Sequence, residues 1–75
     1  MKQTLVDMVK MLVENPNDVI VMEKVSGDTH VLELSVAKDD MGKVIGRGGK
    51  IAKAIRTVMR AVAAKENKRV IIDII

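Results

Sequence analysis

Gly46, Arg47, Gly48 and Gly49 put three glycines and one guanidinium into four consecutive positions, with Lys50 and Lys53 just beyond. These residue types suit the capture of an anion. Glycine at 46 and 49 lets a sugar-phosphate backbone approach the main chain with no Cβ in the way. A helix that starts immediately afterwards presents unpaired amides and a partial positive charge to the same place. That helix is expected at residues 50–65. Ile51, Ile55, Val58, Met59 and Val62 cluster within about 100° of a helical wheel, while Lys50, Lys53, Arg56 and Arg60 lie on the opposing side. Arg56 and Arg60 are farther from the glycines and read as a solvated helix face.

Two better-known phosphate loops do not fit. In G-x-x-x-x-G-K-[ST], ending at Gly49-Lys50, Val44 stands where the first glycine belongs and Ile51 replaces the hydroxyl that holds Mg²⁺. In G-x-G-x-x-G, started at Gly46, Ile51 stands at the third glycine, and the loop follows a short helix and not a strand. Nucleotide hydrolysis and dinucleotide binding are therefore disfavoured. Catalysis has no other foothold. His30 sits beside a turn with no Ser, Cys or second His to complete a constellation, and reads as a surface residue. Asp39 and Asp40 are explained as helix caps before they are read as a metal pair or an acid/base couple. No catalytic residue, metal ligand or cofactor is expected.

Composition sets the frame for this site. The chain has 75 residues, enough for one domain, 1–75, and too few for a deep shielded cleft beside a core. With 48% hydrophobic and 31% charged residues it is expected to fold. There is no cysteine, hence no disulfide framework and no thiolate metal site. Lys10 and Glu14 interrupt the apolar run near the N-terminus, and no stretch approaches the roughly 20 apolar residues that span a bilayer. A cytoplasmic protein with no membrane contact is the expectation. A net charge of +3 leans toward polyanions. The absence of Phe, Tyr and Trp removes the rings on which many RNA-binding sheets stack bases, so any base contact is expected to be aliphatic, polar or cationic.

Several elements must hold the loop. Leu5, Met8, Val9, Leu12 and Val13 follow helical spacing, which predicts a helix over 4–14, capped by Thr4 with Asp7 and ended by Pro16. Met8 and Met59 fall at core spacing. "VIVMEKV" and "HVLELSVA" flank Gly27-Asp28, a two-residue hairpin turn that pairs Val21 with Leu34 and Val19 with Val36, Leu32 and Val25 sharing that apolar face. The other face, with Ile20, Met22, Lys24, Val31, Glu33 and Ser35, is a possible partner surface. Asp39 or Asp40 starts a short helix ending at Gly46, and "RVIIDII" makes a last strand with Val70, Ile72 and Ile74 inward. The order is α-β-β-α-α-β, an α+β domain with a three-stranded sheet and three helices packed on one face.

"VIGRGGKIAKAIR" resembles the signature of the K-homology (KH) domain, whose GXXG loop clamps about four nucleotides of single-stranded nucleic acid. A helix and hairpin before the loop and one strand after it resemble the type II order, and the likeness covers essentially the whole chain. A single KH domain of this length is similar to the KhpA family of small bacterial RNA-binding proteins. That likeness implies single-stranded RNA as ligand, a role of the RNA-chaperone or post-transcriptional type, and association as a homodimer or as a heterodimer with a second KH protein of the Jag type. It maps the GXXG onto Gly46, Arg47, Gly48 and Gly49. The groove floor falls on Val44 and Ile45 with Ile51 or Ile55, and the basic contacts on Lys43, Arg47, Lys50 and Lys53. Ala52 departs from the larger aliphatic residue of many KH helices. Bases would hydrogen-bond the backbone of a neighbouring strand edge within residues 31–37. The rival reading keeps the fold but makes the protein an oligomerisation adaptor, holding a protein partner through its apolar sheet face and helix flanks.

Overall fold

The computed structural model describes residues 1–75. Its elements are α1 (Lys2–Lys10), β1 (Ile20–Ser26), β2 (Thr29–Ser35), α2 (Met41–Ile45), α3 (Lys50–Lys65) and β3 (Arg69–Ile74), with short 3-10 turns at Pro16–Asp18, Lys38–Asp40 and Arg47–Gly49. The α-β-β-α-α-β order and the α+β class expected from the sequence are both present.

Gly27, at φ +61°, turns β1 into β2 with Ser26 facing Thr29, and this fixes the antiparallel register Val21↔Leu34. β3 then pairs parallel to β2 in the register Leu32↔Ile72, giving the sheet order β1-β2-β3. Val19, Val21, Leu32, Leu34 and Ile72 face the helices and join Leu5, Val9, Val44, Ile55 and Met59 in the core. Ile20, Met22 and Ile71, on the other face, are more than half exposed. All three helices therefore cover one side of the sheet. Val25 shares the inner parity but is 56% exposed, because the hairpin tip runs out beyond the helices. There His30, half-buried, shares a 2.8 Å hydrogen bond with Glu23.

Two helix boundaries differ from the sequence expectation. α1 begins at Met1 with no side-chain cap, so Thr4 caps nothing, and Asp7 instead accepts a 2.8 Å bond from the Gln3 amide. It ends at Lys10 and not at residue 14, its last turn tightening into i→i−3 bonds, Met11 N–H to Met8 and Leu12 N–H to Val9. The backbone just beyond is claimed by a distant residue. Asp40, fully buried, accepts hydrogen bonds from the backbone amides of Glu14 (3.1 Å) and Asn15 (3.0 Å) and from the Asn15 side chain (3.0 Å). Asp40 does stand at the N-cap position of α2, but its carboxylate makes no cap bond there.

α3 occupies 50–65 as expected, but its inward face is turned. Ala52, Ile55, Met59 and Ala63 are its buried residues, whereas Val58 is 45% exposed. It closes with Asn67 at φ +56° and Lys68 N–H donating to Ala63 O at 2.9 Å, a left-handed stop that redirects the chain into β3.

Candidate nucleic-acid interface

α2 is just over one turn long and ends where Gly46 N–H donates to Gly42 O at 2.9 Å. Gly46 then takes φ +75° and ψ 171°, a region essentially reserved for glycine. A Cβ at this position would lie 2.6 Å from Ile51 Cγ1. The bareness of Gly46 is thus required by Ile51 packing over it, and not by a ligand, as the sequence had suggested. Gly48 (φ 64°, ψ 18°) and Gly49 (φ 76°, ψ 16°) are both left-handed, and open space surrounds the Cβ either would carry. These two leave the loop's outer surface unobstructed.

Gly49 N–H closes the turn onto Gly46 O at 3.1 Å, while none of the turn and cap hydrogen bonds uses the N–H of Arg47 or Gly48. Those amides lie beside the start of the 16-residue α3, whose first turn carries no acid. Arg47, Lys50 and Lys53 are exposed and take part in no ion pair. Backbone donors, a helix N-terminus and three cations outside any ion pair thus adjoin one another, the arrangement in which helix starts attract anions.

Other expected contacts lie elsewhere. Val44 is fully buried and anchors α2 in the core, so its side chain cannot touch a ligand; Ile55, 3% exposed, is core as well. Lys43 Nζ sits 3.1 Å from Glu14 Oε1 and 3.3 Å from Asp40 Oδ1, tying the segment after α1 to α2 and pairing its charge with these two carboxylates. The Glu14 hydrogen bond, followed by that of Asp40, holds the Lys43 ammonium above its ordinary pKa against the opposing effect of desolvation. At Asp40, burial alone would raise the carboxyl. The Asn15 side chain, the two backbone amides and Lys43 outweigh it and bring the pKa below its usual value. Ile45, 38% exposed, and the half-buried Ile51 remain as the accessible apolar surface beside the loop, while Ala52 is enclosed under α3.

The strand edge also moves. β2 is the central strand, hydrogen-bonded on both sides over most of its length, so it has no free edge for bases within residues 31–35. The free edge beside α3 is β3. Arg69 N–H and Ile75 N–H point into the sheet, donating to Asp28 O and Leu34 O at 2.9 Å each. By the alternation of a parallel ladder, residues 70, 72 and 74 turn their backbone groups outward. Arg56 reaches this edge, donating from Nε (3.3 Å) and Nη2 (3.2 Å) to Ile72 O. A narrow recess of about 110 Å³ lies there, lined by Arg56, Arg60, Val70, Ile71 and Ile72. Sequence reading missed Arg56 as part of a groove; its three- and four-residue spacing from Lys53 and Arg60 was the available signal.

The family model of the KhpA/KhpB KH domain matches residues 2–74. This chain belongs to that family. It is 56% identical over 75 residues to RNA-binding protein KhpA of Clostridium acetobutylicum, covering the whole of both chains. It is 43% identical over 75 residues to RNA-binding protein KhpA of Listeria monocytogenes, covering 100% of this chain and 99% of that one. Among solved structures, Aquifex aeolicus Era superposes with a TM-score of 0.64 at 19% identity, over 97% of this chain and 28% of the longer Era chain, a likeness of fold. No helix of this KH domain is long and apolar enough to cross a membrane.

A second surface lies on the other flank of α3. An open groove of about 330 Å³ is walled by apolar side chains, Met8, Met11, Leu12, Ile51, Ala54, Ile55 and Val58, with Lys50 at its loop end, and Met11 is 79% exposed.

Proposed function

We propose that this protein binds single-stranded RNA without catalysing a reaction on it, gripping about four nucleotides at the Gly46–Gly49 loop. One observation carries the reading: the Arg47 and Gly48 amides, the N-terminus of α3 and three unpaired cations converge where Gly48 and Gly49 leave the main chain bare. The RNA-binding names of the family's members support the same ligand. Phosphates rest on the loop and on Arg47, Lys50 and Lys53. Bases turn toward Ile45 and Ile51 and hydrogen-bond the outward backbone of β3, a change from residues 31–37 that follows from the strand order. Glu14 and Asp40 are engaged with Lys43, and Asp40 with backbone amides as well, which suits a binding module. Its place is the cytoplasm, where RNA is met, in a chaperone or post-transcriptional role.

Fluorescence anisotropy with short oligoribonucleotides tests this. Three engaged cations give a log-log salt slope of about −2 for a single strand, and a duplex of the same sequence competes poorly. Equal binding to duplex and single strand, or no binding at low salt, rejects the reading.

A second reading concerns the α1–α3 groove. Its exposed Met11, Leu12 and Val58 favour pairing with another copy or with a second KH protein of the Jag type, on a surface that adjoins the loop through Lys50 and Ile51. Sedimentation of wild type and Val58→Asp tests it: an assembly that dissociates in the variant supports pairing, and a monomer in both removes it.

A further inference from the structure

The groove between α3 and the β3 edge continues past Arg56. Toward the end of α3 it opens into a larger recess of about 460 Å³, lined by Thr29, Arg60, Ala63, Lys68, Arg69, Val70 and Ile71. The two recesses share Arg60, Val70 and Ile71, so they form one track. Lys53, Arg56 and Arg60 stand in a row on the same flank of α3, Lys53 and Arg60 about 10 Å apart along the axis at 1.5 Å per residue. β3 runs back along them, Arg56 bonding Ile72 while Arg60 neighbours Val70.

Three features make the far end a built seat. Arg60, Lys68 and Arg69 are exposed, none is in an ion pair, and no carboxylate lines the recess. Like charges gathered without a counter-charge favour an anion. Its geometry is fixed from below: Asn67 holds the left-handed stop, Lys68 N–H bonds Ala63 O at 2.9 Å and Arg69 N–H bonds Asp28 O at 2.9 Å. Its wall is largely aliphatic, from Ala63, Val70 and Ile71, and no aromatic side chain lines it.

Resting on the RNA-binding reading above, we infer that this recess is a second phosphate subsite, taking a nucleoside phosphate of the same strand beyond the nucleotides held at the glycine loop. The phosphate lies among Arg60, Lys68 and Arg69, and the nucleoside lies against the aliphatic wall. The footprint of the domain is therefore longer than the tetranucleotide its loop clamps.

The test compares a labelled oligouridylate of four nucleotides with one of eight over a salt series. Extra registers raise the octamer's affinity but not its salt slope, so the slope is the readout. Three more cations engaged by the octamer steepen it by about 2, so the octamer loses roughly 20-fold more affinity than the tetramer between 50 and 200 mM salt. Arg60→Gln with Lys68→Gln and Arg69→Gln brings the octamer slope back to the tetramer value and leaves tetramer binding within about threefold. A control with Lys2, Lys10 and Lys38 changed to Gln has the same net charge and keeps the difference. Parallel slopes in the wild type, or equal effects of the two variants, overturn the subsite while leaving the loop reading intact. Failure of both oligomers to bind overturns both. Uridine monophosphate is the remaining arm: if it saturates the recess of the wild type while the octamer and tetramer slopes stay parallel, the site serves a free nucleotide and the strand extension is wrong.

Discussion

Changing Gly46 to Ala probes the loop where geometry and packing act together. At φ +75° and ψ 171° the backbone is in a region that costs a residue with a Cβ about 1–3 kcal/mol. The new methyl also meets Ile51 Cγ1 at 2.6 Å and Ile51 Cβ and Cδ1 at 3.0 Å, an overpacking that costs about 1–3 kcal/mol to relieve. Together the loss is about 2–6 kcal/mol, a drop of at least roughly 8 °C for a domain of this size. Gly48→Ala separates the two effects. Its φ of +64° is left-handed but its surroundings are open, so it loses only about 1–2 kcal/mol. Urea unfolding of Gly46→Ala, Ile51→Ala and the double variant then gives a coupling of about 1–3 kcal/mol, the double variant being less damaged than the sum of the singles. Additive losses, or a Gly46→Ala cost no larger than that of Gly48→Ala, would refute the claim that Ile51 enforces this glycine.

Arg47→Asp combined with Gly48→Asp places two carboxylates on the phosphate seat; short single-stranded RNA ceases to bind in anisotropy, while the melting temperature falls by only several degrees, the cost of a left-handed Asp at 48. Asp40→Asn removes a carboxylate whose pKa lies below its ordinary 3.8, so the stability it contributes is complete above pH 4 and is lost as pH falls through the folded value. Thermal melts should therefore show a wild-type advantage over Asp40→Asn at pH 7 that shrinks below pH 4, and a gap unchanged down to pH 2 contradicts the hydrogen-bonding scheme. Met59→Ala, in a fully buried position of α3, costs about 2–5 kcal/mol by urea unfolding, whereas Val58→Ala costs well under half of that.

Much of this architecture is legible in the residues. Sixteen residues of consistent apolar spacing were enough to bound α3 at 50–65, and one glycine turn at Gly27 was enough to set Val21 opposite Leu34. The face of α3 was less legible, because Ala52 and Ala63 carry little hydrophobic signal yet are the residues small enough to sit under the helix, and Val58 was drawn inward by its type alone. The end of α1 depends on Asp40, 25 and 26 positions away from the amides it bonds, a competition no local pattern encodes. In the site, the glycines and Arg47, Lys50 and Lys53 stand where their spacing put them. Lys43 is paired with Glu14 and Val44 is buried, tertiary facts that spacing along the chain does not carry. Strand order is another: alternation identifies three strands but not that β2 is central, which moves the available edge to β3 and brings Arg56 and Arg60 to the groove.

The most direct measurement is a titration of isotopically labelled protein with a short single-stranded oligoribonucleotide at low salt, followed through its amide resonances. The amides of residues 45–53 and 70–74 should move together and saturate at one equivalent, while those of the outer sheet face, residues 20, 22 and 24, stay in place. Stationary loop resonances beside shifts confined to Met8, Met11 and Val58 would contradict the account and leave the α1–α3 flank as the working surface.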